Sequence, residues 1–188
     1  MNQERRDRLG DAAIAVLAES GSRGLTHRAV DATADVPMGT TKNYFPTRDA
    51  LLRASAERIM ELYAEIPRPA PVDRAGLTDL LRTLLEHVRG PGRVRVLALL
   101  ELHREAARTS WLAEPLDAFA AADFAYFEQA QRSAGLSVTP RRAATVTLAL
   151  HAALPHLVAD GPTTQAAAGL DDLDGFVNGL LDTVYGTA

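Results

Sequence analysis

The 188-residue sequence contains no cysteine, and this absence excludes several kinds of site. Without thiolates the chain cannot hold a disulfide framework, a thiolate zinc site, an iron–sulfur cluster or a cysteine nucleophile. Aromatic residues make up only 5% of the sequence, so any small-molecule pocket should be mainly aliphatic. No apolar run approaches the roughly 20 residues that span a bilayer. We therefore expect a cytoplasmic protein without membrane association.

The charge of the chain is nearly balanced. Twenty basic residues face 24 acidic ones, which gives a net charge of -4. Residues 1–58 hold nine basic and eight acidic residues, or +1, so residues 59–188 hold 11 basic and 16 acidic residues, or -5. This mild asymmetry does not by itself indicate binding to nucleic acid.

Signals for β-strands and for catalysis are also lacking. The sequence shows no sustained alternation of β-branched residues and no Asn-Gly or Asp-Gly hairpin, so we predict an all-α fold. It contains no Gly-x-Ser-x-Gly elbow, phosphate loop, dinucleotide fingerprint or His-Glu-x-x-His pair. His151 and His156 are five residues apart and do not share a helix face, which argues against a metal site. We expect neither an enzyme nor a cofactor.

Hydrophobic periodicity and turn residues divide the chain into helical segments. The segment 66–71 cannot continue a helix because its three prolines remove backbone donors. We place the break at 67–71, after a linking helix at 47–65, and predict two domains, 1–48 and 49–188. The expected helices lie at about 3–20, 27–34, 38–44, 47–65, 75–89, 92–109, 113–134, 140–159 and 170–185.

The last two helices are candidates for an interface between two copies of the chain. Residues 143–158 are apolar nearly all round, and the final helix carries a narrow apolar seam. Pairing these helices with their copies would form a four-helix homodimer interface, whereas the alternative is a core within one chain. The predicted interface residues are Val146, Leu150, Leu154, Leu157, Leu173, Val177, Leu180 and Val184.

Residues 26–45 have the spacing of a helix-turn-helix. Two short helices flank a turn of about four residues, and Thr26 is a favourable N-cap for the first. The second helix would project from the surface, with a polar face that suits the major groove of DNA. This face comprises Thr40, Thr41, Lys42 and Asn43.

The stretch from Ala12 to Leu52 resembles the N-terminal domain of the TetR family of transcriptional repressors. The resemblance rests on Gly24-Leu25-Thr26, Ala29-Val30, Ala34-Asp35-Val36, Gly39-Thr40 and the run from Tyr44 to Leu52. It implies a three-helix DNA-binding domain followed by a helical ligand-binding and dimerisation domain. The implied function is a dimeric, sequence-specific repressor that a small-molecule effector releases from double-stranded operator DNA. The alternative is a helical protein-binding adaptor that has lost DNA binding. The low basic content of the N-terminal region favours this alternative.

The resemblance also implies roles for individual residues. Phosphate contacts are expected from Thr26, Thr40, Tyr44 and Arg48. Base reading falls to the variable outer positions, which are Met38, Thr41, Lys42 and Asn43, with Arg28 as a further candidate. In this interpretation Lys42 donates to guanine, Asn43 contacts adenine and Thr41 meets a thymine methyl group.

Gly39 and Pro37 also bear on the DNA-binding prediction. A glycine within a helix costs about 1 kcal/mol relative to alanine, which suggests that the backbone at Gly39 closely approaches another group. DNA is the expected group, and intramolecular packing is the alternative. Pro37 and Lys42 both depart from the family's usual residues, so the operator sequence cannot be taken from relatives.

The second domain is expected, by resemblance, to enclose an effector cavity. Aromatic residues and histidines are common in such pockets. Each candidate has an alternative role as an ordinary core or surface residue. The candidates are His87, His103, Trp111, Phe119, Phe124, Phe127 and His151.

Overall fold

A computed structural model describes residues 2–187, and within them the chain forms helices and no β-strand. The all-α fold predicted from the sequence is therefore confirmed. None of the helices in this part of the chain is long and apolar enough to cross a membrane. The helices are α1 (Gln3–Gly24), α2 (His27–Thr33), α3 (Thr40–Tyr44), α4 (Arg48–Ala64), α5 (Arg74–Arg89), α6 (Arg93–Ala106), α7 (Ser110–Ser133), α8 (Pro140–Ala159), α9 (Pro162–Ala167) and α10 (Leu173–Tyr185).

Side-chain caps fix the starts of several helices. The hydroxyl oxygen of Thr26 accepts the N–H of Ala29 at 3.1 Å, and that of Thr47 accepts the N–H of Ala50 at 3.0 Å. These bonds satisfy N–H groups that have no partner within the helix. The two caps separate α2 and α4 from the segments that precede them.

Several helix boundaries differ from the sequence prediction. Gly21 interrupts α1 with a φ of 66°, but helical turns resume and α1 continues to Gly24. α7 begins at Ser110 and not near residue 113. The segment predicted as a loop after α8 contains the short helix α9, because Pro162 stands at its first position, where the missing N–H costs nothing.

The structure divides into two compact units, and the first comprises residues 2–67 and 94–118. Its core joins Leu9, Ala13 and Leu17 of α1 to Leu52 and Ile59 of α4. The same core contains apolar residues of α6 and of the first part of α7. These residues are Ala98, Leu102, Leu112 and Leu116. The helix-turn-helix segment therefore shares one core with α6.

The second unit comprises residues 68–93 and 119–187. Its core is formed by α5, the second part of α7, α8 and α10. Leu77 and Leu81 of α5 pack in this core together with Val146 of α8 and Val177 of α10.

Burial changes the interpretation of the predicted dimer interface. Five of its eight residues lie in the core of the second unit of a single chain: Val146, Leu150, Leu157, Leu173 and Val177. Buried side chains cannot also cover a partner's surface, so these five correspond to the core alternative. Leu154, Leu180 and Val184 are only partly buried and stay interface candidates. The exposed face of α8 carries Leu148, whose exposed fraction is 62%.

Candidate nucleic-acid interface

The helix-turn-helix belongs to the first unit and consists of α2, a turn at residues 34–39, and α3. α3 has only five residues, and a helix this short has no stability of its own in water. It must therefore be held by contacts with the rest of the unit. The structure shows one anchor at each end of α3.

The anchor at the start of α3 is Asp31, which the sequence analysis missed. Asp31 is 3% exposed. One carboxylate oxygen accepts the N–H of Gly39 at 2.7 Å. The other accepts both the N–H of Thr41 at 2.7 Å and its hydroxyl at 2.5 Å. The carboxylate thus binds two N–H groups at the start of α3, one from its N-cap and one from its first turn, as a capping residue does, although it belongs to the preceding helix.

These contacts keep Asp31 ionised. Burial acts to raise the pKa of its carboxyl group, but the hydrogen bonds from Thr41 and Gly39 outweigh burial and lower the pKa below its usual value of 3.8. An Asp at residue 31 and a Thr at residue 41, ten residues apart, were the available sequence signal. Their pairing could not be inferred because it requires the turn to bring them together.

The anchor at the end of α3 is His27. Its Nε2 donates to the backbone carbonyl of Phe45 at 2.6 Å. Phe45 is 2% exposed and packs in the core. The guanidinium of Arg6 lies 5.0 Å from the centre of the Phe45 ring. Both ends of α3 are therefore fixed to the unit.

Gly39 is required for its backbone conformation. It is the N-cap of α3 with a φ of 91°, which residues with a side chain rarely adopt. A Cβ atom at this position would have no heavy atom within 4 Å, so packing does not require a glycine. α3 accordingly begins at Thr40 and not at the predicted residue 38. Neither DNA nor packing is needed to explain this glycine.

Two of the predicted DNA contacts are engaged inside the unit. Thr41 is 0% exposed and bound to Asp31, so the expectation that it meets a thymine methyl group is corrected. The hydroxyl of Thr40 donates to the carbonyl of Pro37 at 2.6 Å. Thr40 is partly exposed, and its oxygen can still accept a hydrogen bond but not donate one while this contact holds.

Four predicted DNA contacts are exposed on the same segment. Met38 is 76% exposed at the tip of the turn. Lys42 and Asn43 are exposed on α3, and Arg28 is exposed on α2. These side chains can provide a cation, an amide and an apolar tip to a groove, which are the groups that read base edges.

The remaining predicted phosphate contacts have structural partners. Thr26 caps α2 and stays exposed, and Tyr44 packs partly buried against the core of the unit. Arg48 donates to the carbonyl of Ser22 at 2.8 Å and lies 3.8 Å from the carboxylate of Glu105 on α6. Since its side chain is 46% exposed, Arg48 can reach a phosphate only in competition with Glu105.

The predicted effector-binding residues are not one cluster. His103 and Trp111 belong to the first unit, where His103 is exposed and Trp111 stacks beneath the Arg53 guanidinium at 4.4 Å. Phe119, Phe124, Phe127, His87 and His151 belong to the second unit.

Within the second unit two of the candidates are in contact. Phe124 meets His151 edge to face at a centroid distance of 5.4 Å. The Nε2 of His151 lies 2.8 Å from Asp123, and Phe127 is buried in the core. His87 carries a buried Nε2 without a hydrogen-bond partner among the described residues. Phe124 and His151 are therefore two candidates in contact, and His87 is a candidate with an unpaired ring nitrogen among the described residues.

Comparisons with known proteins cover both halves of the chain. A family model described as "Tetracyclin repressor-like, C-terminal domain" matches residues 72–183. A curated relative, the HTH-type transcriptional repressor KstR of Mycolicibacterium smegmatis, is 37% identical over 75 residues. That alignment covers 40% of this chain and 34% of KstR, so the chain spans about a third of this relative's length.

Solved structures match nearly the whole chain. A TetR-family member from Streptomyces coelicolor A3 is 29% identical with a TM-score of 0.66, covering 98% of this chain and 99% of that one. The multidrug binding protein EbrR, complexed with proflavin, is 30% identical with a TM-score of 0.57, covering 90% of this chain and 99% of that one. Because the family model matches more than half of the residues, the chain belongs to the TetR (tetracycline repressor-like) family of transcriptional regulators.

Proposed function

We propose that this protein is a homodimeric, sequence-specific DNA-binding repressor that a small-molecule effector releases from its operator, and that it is not an enzyme. The observation that carries the proposal is the presentation of α3. Lys42 and Asn43 are exposed on α3, which is fixed at both ends by Asp31 and His27, and Met38 is exposed on the turn before it. A rigid support with exposed polar groups is what reading base edges requires.

The proposal assigns the readout to a small number of side chains. Lys42 is the only lysine in the sequence and supplies a cation for guanine acceptors. Asn43 supplies donor and acceptor groups that match adenine. Arg28 is a further candidate for base reading, and Thr26 and Arg48 supply phosphate contacts, which fix the register of the protein but do not read sequence.

The test begins with selection of bound duplexes from a random DNA library by the purified protein at a stated salt concentration. We expect recovery of a palindromic operator. The variant Lys42→Ala/Asn43→Ala should then lose at least about 30-fold in operator affinity, since it removes two base contacts and each good one contributes about 1–3 kcal/mol. Arg132→Ala is the matched control, because it removes an exposed cation from α7 in the second unit.

Two outcomes would contradict the proposal. The first is failure to select any sequence at low and at moderate salt with a folded protein. The second is an equal loss of affinity in the Lys42/Asn43 variant and in the Arg132 control. Either result would favour a protein-binding adaptor.

We further propose that the second unit binds the effector. EbrR was solved with proflavin and with ethidium, and it is 30% identical to this chain in both complexes. These two dyes are therefore the first probes for this protein. Because an effector shifts an equilibrium only by its differential affinity for two states, a true effector must weaken operator binding as it saturates the protein. A dye that binds with no change in operator affinity is not the effector.

We also propose a homodimer that uses the outer face of α8. Leu148 is the large apolar residue exposed on this helix, and the partly buried Leu154, Leu180 and Val184 lie on α8 and α10. A two-fold partner would supply the second DNA-binding unit that a palindromic operator requires, since the half-sites of such an operator lie about one helical turn of DNA, or a multiple of it, apart.

A further inference from the structure

We propose that Asp31, which contacts no DNA itself, is the positioning residue for operator recognition, because its carboxylate docks the start of α3 onto α2. The inference rests on the proposed DNA-binding function. It assigns a role to a buried residue of α2 that binds the start of α3, whereas the proposed function concerns the exposed side chains of α3.

Three donors surround the carboxylate of Asp31. All three hydrogen bonds come from the segment that opens α3: two from Thr41 and one from Gly39, at 2.5–2.7 Å. Charge-assisted bonds of this length are roughly twice as strong as neutral ones. One side chain of α2 thus sets both the position and the direction of the first turn of α3.

Apolar packing does not provide a second contact that holds the start of α3 on α2. The apolar core at the helix-turn-helix includes Val30 and Ala34 before the turn and Phe45 after α3. Val36 in the turn and Tyr44 at the end of α3 pack partly buried against it, so none of these apolar residues lies in the first turn of α3. Thr41, the buried residue of α3, contributes its hydroxyl to Asp31. Removal of the carboxylate therefore frees the start of α3 while the core residues of the unit keep their packing.

The contact with Asp31 also bears on how the start of α3 can bind a phosphate. The N–H groups at the start of a helix often bind an anion from outside the protein. Here the N–H groups of Gly39 and Thr41 are taken by Asp31, and the hydroxyl of Thr40 is donated to Pro37. These two N–H groups are therefore not available to a phosphate, so we expect a change at residue 31 to alter geometry without changing the number of phosphates contacted.

The experiment compares two Asp→Asn variants. Asp31→Asn keeps the side-chain shape but replaces one acceptor oxygen by an NH₂ group, which faces a donor of Gly39 or Thr41. Asp35→Asn makes the same charge change four residues later, at an exposed position with a φ of 51° that Asn tolerates. We expect Asp31→Asn to lose about 10- to 100-fold in operator affinity, and Asp35→Asn to bind within about twofold of the unchanged protein.

Two readouts separate positioning from general instability. The slope of log Kd against log salt concentration should be equal in Asp31→Asn and the unchanged protein, because that slope counts phosphate contacts. In NMR spectra the amide resonances of Gly39 and Thr41 should shift and lose protection from exchange, while those of core residues on α1 and α4 stay in place.

Substitutions at Thr41 provide a second series if Asp31→Asn does not fold. Thr41→Ser keeps both donors and should retain the affinity, whereas Thr41→Val keeps only the N–H and should lose an intermediate amount. Equal binding by Asp31→Asn and the unchanged protein, or equal losses in Asp31→Asn and Asp35→Asn, would overturn the inference and leave the proposed function standing. Failure of the unchanged protein to bind any selected duplex would remove the proposed function, and the inference with it.

Discussion

Gly39 offers a test of why the recognition helix begins where it does. The structure requires a φ of 91° at this residue and leaves open space where a Cβ would stand. Alanine in the left-handed conformation costs about 1–2 kcal/mol, and the loss of glycine's freedom in the unfolded chain returns about 0.4–1 kcal/mol. We therefore expect Gly39→Ala to lower the free energy of unfolding by about 1 kcal/mol. Relief of the strain by unwinding the start of α3 should weaken operator binding by about 5- to 30-fold.

The matched control is Gly135→Ala. Gly135 has a φ of 77°, its Cβ would also meet open space, and it lies in the second unit. Chemical denaturation should show a similar loss of stability for both variants, and fluorescence anisotropy should show a loss of operator affinity for Gly39→Ala alone.

A third variant distinguishes the two explanations of Gly39. Asn adopts positive φ more readily than Ala but has a larger side chain. If conformation is the requirement, Gly39→Asn binds the operator better than Gly39→Ala. If the DNA backbone must approach closely, the larger Asn binds worse. Weaker operator binding by Gly39→Asn than by Gly39→Ala would refute the explanation that Gly39 is required for its positive φ.

Three further predictions follow from other contacts. Glu105→Gln should raise operator affinity by up to about fivefold, because a half-exposed ion pair contributes at most about 1 kcal/mol and its loss releases Arg48. The control Glu114→Gln, at an exposed residue of α7, should have no effect on operator affinity. Equal effects of the two substitutions would exclude competition between Glu105 and DNA for Arg48. Leu148→Glu should shift the dimer to monomer in analytical ultracentrifugation. The control Val94→Glu, at a residue of α6 that is 45% exposed, should leave the dimer intact. A dimeric Leu148→Glu protein would mean that the interface lies elsewhere. The lowered pKa of Asp31 means that its ionised form adds stability above the usual value of 3.8, and that this stability is lost as pH falls through the folded-state pKa. Acid unfolding of Asp31→Asn should therefore show a shallower pH dependence, and parallel curves would contradict this prediction.

Much of the fold follows from local sequence patterns. The Thr26 and Thr47 caps, the apolar stripe Leu9–Ala13–Leu17 and the absence of strand signals depend on residues within a few positions of each other. Such patterns favour one local structure, and here tertiary packing agrees with them. The family resemblance depends on the same short-range motifs.

Errors arose where a residue's role depends on a distant partner. Thr41 has the polar side chain expected on a DNA-reading face, but Asp31 binds it and turns it inward. Val146 and Val177 fit an interface seam, but α5 covers them within the same chain. Periodicity tells which face of a helix is apolar, but it does not tell what covers that face.

The sequence by itself determined the all-α class, the helix-turn-helix and the exposed Lys42–Asn43 pair, because capping, periodicity and turn chemistry act over short distances. Only the tertiary structure decided that Asp31 holds α3 and that Arg48 is shared with Glu105. Both contacts join residues from different elements, so they exist only after the helices have packed.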